Sequence, residues 1–163
     1  MHTTSGKSLL VFTLVTLFGA AAVFAPPNSK KVNGTLNGTV VYTPPVVAAG
    51  TYAIRVECTG TLPHLGRARA VWEGSALVDA GLAATALPGA AWKIESADGS
   101  TMRGPVQWHA QNGTAAGDYT VTGPFQIVGS TGRFQRTSGG GTIRGALNVL
   151  TGKATIQLDA ELQ

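Results

Sequence analysis

Residues 52–60 alternate without a break: Tyr52, Ile54, Val56 and Cys58 fall on one side, and Ala53, Arg55, Glu57 and Thr59 on the other. A period of two is what a strand shows when one face is buried and the other is wet, and a helix cannot present it as a single face. The pattern recurs along the chain. Residues 35–43 carry Leu36, Val40 and Tyr42 on one face, and Pro44-Pro45 ends the run because proline cannot donate to a ladder. Residues 67–78 read as a long strand containing Trp72, and 91–96 as a shorter one containing Trp92. Residues 101–110 put Met102, Val106 and Trp108 together, and 118–128 put Tyr119, Val121, Phe125 and Ile127 together. Residues 142–149 and 153–162 close the series, with Ile143, Leu147 and Val149, then Ala154, Ile156, Leu158, Ala160 and Leu162, on their apolar faces. Residues 80–89 are the least strand-like and read as a loop or a single helical turn ended by Pro88-Gly89.

The runs are joined by turn chemistry. Asp98-Gly99, Asn112-Gly113 and Thr151-Gly152 are short-turn signals, and 61–66 is a turn carrying Pro63 and His64. With only 12% charged residues and 22 glycines in 163, the composition agrees with one all-β domain large enough for a real core. The count is eight strands at regular spacing. Glycines recur inside them, in Thr35-Leu-Asn-Gly38, Thr101-Met-Arg-Gly104, Thr120-Val-Thr-Gly123 and Thr142-Ile-Arg-Gly145. A mid-strand glycine marks a bend, a bulge or a close approach, and repeated ones turn the corners of a small barrel. The expected fold is therefore a single antiparallel eight-stranded up-and-down barrel, closed so that it has no sheet edges, in preference to a two-sheet sandwich.

Ahead of the barrel the chain changes character. Lys7 gives a positive start, residues 9–18 are almost wholly apolar, and Gly19-Ala-Ala-Ala22 offers small residues for a signal peptidase. Residues 1–25 are read as a signal peptide, with cleavage after Ala21, Ala22 or Ala25. The uncharged stretch 9–25 is also near the lower limit for a spanning helix, so an uncleaved anchor is the alternative, and the only membrane contact expected. Residues 26–32 form a linker and 33–163 the barrel. In either case the barrel is expected outside the cytoplasm, secreted or periplasmic, or held at the membrane.

Without residues 1–25, eleven basic residues face eight acidic ones. The basic residues are scattered, apart from Lys30-Lys31, Arg67/Arg69 and Arg133/Arg136, which argues against a nucleic-acid surface. The single cysteine, Cys58, lies on an apolar strand face and has no second thiol to pair with, so it reads as a small buried hydrophobe.

Between the sixth and seventh strands lies Gly129-Ser-Thr-Gly-Arg-Phe134, continued by Ser138-Gly-Gly-Gly141. This turn resembles one in the barrel superfamily that includes allene oxide cyclase and the plant dirigent proteins. From Asn33 to Gln163 the chain is also similar to a group of bacterial secreted proteins, in which a segment like Pro63-His-Leu-Gly-Arg67 precedes a strand. Ser130 stands where a glycine is more usual, and Leu62-Pro63 stands before His64. The resemblance implies the barrel and, by extension, an isomerase or cyclase that holds a substrate conformation inside it. No catalytic residue carries over.

Candidate sites are few. Trp72, Trp92 and Trp108 are candidates to line a pocket for a small apolar ligand, or else to fill the core. Arg133 can hold an anion at the barrel rim beside Phe134, or Phe134 can plug the barrel end while Arg133 caps turn carbonyls. Glu57, His64, Arg67 and Arg69 form a candidate polar cluster, with Glu73 further along the strand. Its plainer reading is a solvated ion network across strands. His109 and Asp118 flank the Asn112-Gly113 turn, but no serine or cysteine stands as their nucleophile, and no histidine has metal-ligand spacing with a carboxylate. Asn33, Asn37 and Asn112 each begin an Asn-Gly-Thr sequence that can accept a glycan or serve turn geometry. The residues thus point away from an enzyme. They suggest an exported barrel without cofactor that binds a small apolar ligand or a surface partner. A cyclase acting inside the barrel and a membrane-anchored adhesion module are the alternatives.

Overall fold

The structure is a computed structural model that describes residues 29–43 and 49–163. The signal or anchor segment 1–25, residues 26–28 of the linker and the strand-ending Pro44-Pro45 lie outside the described residues. The described chain is all-β: β1 (Lys30–Thr43), β2 (Gly50–Leu62), β3 (Gly66–Val78), β4 (Ala84–Ala86), β5 (Ala91–Ser96), β6 (Thr101–Pro105), β7 (His109–Asn112), β8 (Asp118–Ile127), β9 (Gly129–Ser130), a 3-10 turn at Gly132–Phe134, β10 (Gly139–Asn148) and β11 (Lys153–Leu162).

Every pairing is antiparallel, and the order follows the chain around a ring. β2 pairs with β1 and β3, β10 pairs with β8 and β11, and β11 returns to β1, with Lys30 opposite Leu162. β4 and β5 lie end to end along one edge of β3. β6 and β7 follow them as the next position, and β8 with β9 as the one after. The eleven strands thus fill eight positions of a closed barrel. Closure pairs the outermost strands with each other, so no ladder is left open to solvent.

Two expectations need correction. The stretch 80–89 is not wholly loop or helix: Ala84–Ala86 form a short strand against Ala76–Val78. The expected strand 101–110 is interrupted around Val106–Trp108, where an isolated bridge, Val106 to Phe125, and single backbone bonds such as Gln107 N–H to the Pro124 carbonyl (3.0 Å) replace the regular ladder. Beside this break the wall is tight: at Gly104 a β-carbon would fall on the carbonyl oxygen of Gln126 in β8. The indole Nε1–H of Trp92 takes that carbonyl at 3.0 Å.

The repeated glycines share this geometry. A β-carbon on Gly38, Gly123 or Gly145 would fall on the carbonyl oxygen of Glu57, Gln107 or Thr155 respectively. At these inward positions the neighbouring backbone occupies the place of a side chain, and the wall bends sharply. The alternating apolar residues then all face inward, and Leu36, Cys58, Ile94 and Met102 are among those fully enclosed.

Candidate functional site

The three tryptophans lie inside the barrel: Trp72, Trp92 and Trp108 are all buried. Trp92 packs edge-on against Phe125, with ring centroids 4.8 Å apart. Trp72 and Trp108, with Ile54, Val121, Ile143 and Ile156 among others, surround an internal cavity of about 20 Å³. That is room for roughly one water molecule, far below the ~300 Å³ or more that a drug-sized ligand needs. Two polar atoms in the core, Trp72 Nε1 and the Tyr42 hydroxyl, have no hydrogen-bond partner among the described residues. Burial raises the pKa of the Tyr42 hydroxyl well above the usual range, and pushes that of the Cys58 thiol up to about 12. The inner wall is thus apolar, apart from hydroxyl, indole and thiol groups.

At the end of the barrel where β1 begins, Phe134 is buried and Arg133 lies across it, its guanidinium 4.8 Å from the ring centre. Arg133 Nη2 donates to the Leu65 carbonyl and to Ser96 Oγ (2.5 Å), and Nε pairs with Asp98 Oδ2 at 3.1 Å. Ser96 Oγ also donates to the Leu65 carbonyl at 2.7 Å, and Ser100 Oγ accepts from the Arg133 amide at 3.0 Å. These partners tie together the three connections that meet at this end. Arg133 thus caps turn groups at this end of the barrel, over the buried Phe134.

The polar cluster is on the outer wall and has a different membership from the expected one. Glu57 and Arg69 meet at 2.6 Å, but they are joined by Arg55 and Glu73, also 2.6 Å apart. Arg55 reaches Glu57 as well, at 3.4 Å. His64 stands apart in the turn before β3 with φ 62°, and Arg67 makes no ion pair among the described residues. Arg69, first by hydrogen bonding, lowers the pKa of Glu57, and the Glu57 carboxylate raises that of Arg69. These side chains are about half exposed, so each pair contributes little net stability.

This ion lattice forms one side of a groove of about 570 Å³ across the outer faces of β2, β3, β5 and β6. Its floor is small, formed by Val71, Ala91 and Gly104, and Val128, 70% exposed, forms the far rim. Lys93 and Arg103 face each other directly across β5 and β6. The two cations lean apart. Lys93 turns back along its own strand to Glu95 at 2.9 Å, and Arg103 extends over Gly129, whose β-carbon would lie 3.1 Å from Arg103 Nε. Arg103 has no carboxylate or hydrogen-bond partner for its side chain among the described residues.

Sequence reasoning passed over Arg103, Lys93 and Val128. The signal that could have found them is the register of the Asp98-Gly99 hairpin. Its loop has three residues, 97–99, closed by the Ser96 amide donating to the Ser100 carbonyl at 2.9 Å, with Gly99 at φ 81°. A two-residue loop would pair Lys93 with Gly104, and the extra residue pairs it with Arg103.

The remaining candidates do not come together. His109 lies opposite Thr122 on the outer wall, while Asp118 accepts from Asn148 Nδ2 at 2.6 Å. Asn37 accepts from Thr155 Oγ1 at 3.1 Å and Asn112 donates to the Gly81 carbonyl at 2.7 Å, so both serve the fold. Among the described residues, no group of three or more His, Cys, Asp or Glu side chains is placed to hold a metal ion. Comparison with protein-family models, with curated proteins and with solved structures finds no match to this chain.

Proposed function

We propose that this chain is an exported, non-enzymatic β-barrel that engages its partner on the outer wall of the barrel. The observation that carries the reading is the contrast in free space. The interior holds a cavity of about 20 Å³, whereas the outer groove offers about 570 Å³ lined by charged and small apolar side chains. A closed eight-stranded barrel is just wide enough to be filled by its own side chains, and three tryptophans fill this one. Export rests on the sequence of residues 1–25, and N-terminal sequencing of the protein recovered outside the cytoplasm tests it.

An apolar fluorescent probe tests the wall against the interior. N-phenyl-1-naphthylamine added to the folded protein is expected to show no saturable gain in fluorescence, and native mass spectrometry is expected to show the bare chain mass. Saturable uptake that is lost on filling the cavity, for example in Val121→Phe, would move the site inside and overturn the reading.

A further inference from the structure

We propose that the outer groove is a binding site for a small organic acid, whose carboxylate is held by Arg103 and whose short apolar body rests on Val71, Ala91 and Val128. The inference deepens the outer-wall reading and rests on it. It starts from an electrostatic mismatch. Like charges directly opposite on neighbouring strands repel each other, and the cross-strand register makes Lys93 and Arg103 such a pair. The fold meets this by giving the other groove cations a carboxylate each: Arg55 has Glu73, Arg69 has Glu57, and Lys93 itself turns to Glu95. Only Arg103 is left without a carboxylate among the described groove residues, its planar fork of donors free. A carboxylate beside Arg103 would accept a bidentate pair of hydrogen bonds from its free fork of donors and supply the missing countercharge.

The rest of the groove sets the class of ligand. With Glu57, Glu73 and Glu95 already paired to Arg69, Arg55 and Lys93, the groove has one cation in excess, which a ligand with a single anionic group balances. A single anionic group fits the single unpaired cation. The floor of Val71, Ala91 and Gly104 presents little beyond small apolar surface, and Val128 offers an exposed apolar rim. About 570 Å³ is the size of a site for a small molecule.

The test is a titration of the intact, isotopically labelled chain with sodium butyrate, followed by NMR at the Arg103 Nε–H and at valine and isoleucine methyls, with sodium chloride holding the ionic strength constant. Saturable shifts at Arg103 and Val128 are expected, with a dissociation constant on the order of 1 mM for so small a ligand. Butan-1-ol should leave Arg103 unmoved. R103Q should weaken butyrate by about tenfold or more, as loss of a charge-assisted pair requires. R144Q, on the far wall of the barrel, should bind as the parent does. Arg103 is exposed, so an unchanged thermal midpoint for R103Q is the check that its fold is intact.

Equal shifts with butan-1-ol, or unchanged affinity in R103Q, would overturn the proposal. So would tighter binding of a tetra-alanine peptide, lost on amidating its C-terminus, which would reassign the groove to peptide ends. Saturable shifts confined to the Ile143 and Ile156 methyls would sink the outer-wall reading together with this inference. No saturable shift at any resonance would sink this inference alone.

Discussion

Single side chains in this barrel have sharply different duties even when they are of the same type. Trp92 and Trp72 face each other across β3 and β5, both buried, yet only Trp92 has a partner for its indole N–H. Trp92→Phe removes a bond that stands in for a missing ladder contact and should cost about 1–2 kcal/mol. Trp72→Phe removes an unsatisfied N–H along with some packing, two effects of opposite sign, and should stay within about 1 kcal/mol of the parent. Urea unfolding followed by circular dichroism gives both values, and equal losses would contradict this assignment of the indoles. Arg133→Gln should lower stability by about 2 kcal/mol, because the Leu65 carbonyl and Ser96 hydroxyl lose a charged donor. Its exposed contact with Asp98 adds little to that figure. Cys58 is fully enclosed with its acidity suppressed, so a disulfide reagent at pH 8 should leave it untouched in native protein and label it at the rate of opening.

At the level of strands, the informative features are the places where regular pairing gives way. The alternation of residues 52–60 was enough to place Tyr52, Ile54, Val56 and Cys58 inside, because parity within one strand is a local property. The break in the expected strand 101–110 was not legible in the same way. It lies where the chain passes from β5 and β9 as neighbours to β4 and β8, which belong to other parts of the chain. Gly104→Ala would drive a β-carbon into the Gln126 carbonyl and is expected to cost about 2–3 kcal/mol. The loss should appear as a lower urea midpoint together with faster amide exchange in β6 and β8. A tolerated alanine would mean that the seam can open without penalty.

At the scale of the molecule, the charged side chains among the described residues all lie outside the core, which sets the response to acid. Hydrogen bonding from Arg69 lowers the pKa of Glu57, that from Lys93 lowers the pKa of Glu95, and the Ser100 amide, with Arg133 further down the order, lowers that of Asp98. Carboxylates with depressed folded pKa values contribute stability above their unfolded values, and that contribution is lost as pH falls through the folded ones. The ordinary values are 4.5 for Glu and 3.8 for Asp, so stability should be level from pH 7 to about 5 and decline below about 4. Urea midpoints measured across that range provide the check, and a decline beginning near pH 6 would contradict this assignment to the carboxylates. Asp98 is exposed and Glu57 and Glu95 are partly exposed, so the decline should be shallow and should weaken further in high salt.

The sequence by itself determined the all-β class, the number of barrel positions and the inner and outer face of almost every strand. Each of these follows from period-two alternation and turn chemistry, which act over a few residues. The mid-strand glycines also announced the corners, since only a missing side chain allows a neighbouring carbonyl so close. The tertiary structure alone decided which charges meet. Arg133 finds Leu65 and Ser96 because three separate connections converge at one end of the barrel. Lys93 faces Arg103 because one hairpin loop holds three residues rather than two. Register depends on such single-residue differences, and a shift of one residue exchanges the whole set of cross-strand neighbours while the alternation along each strand stays the same.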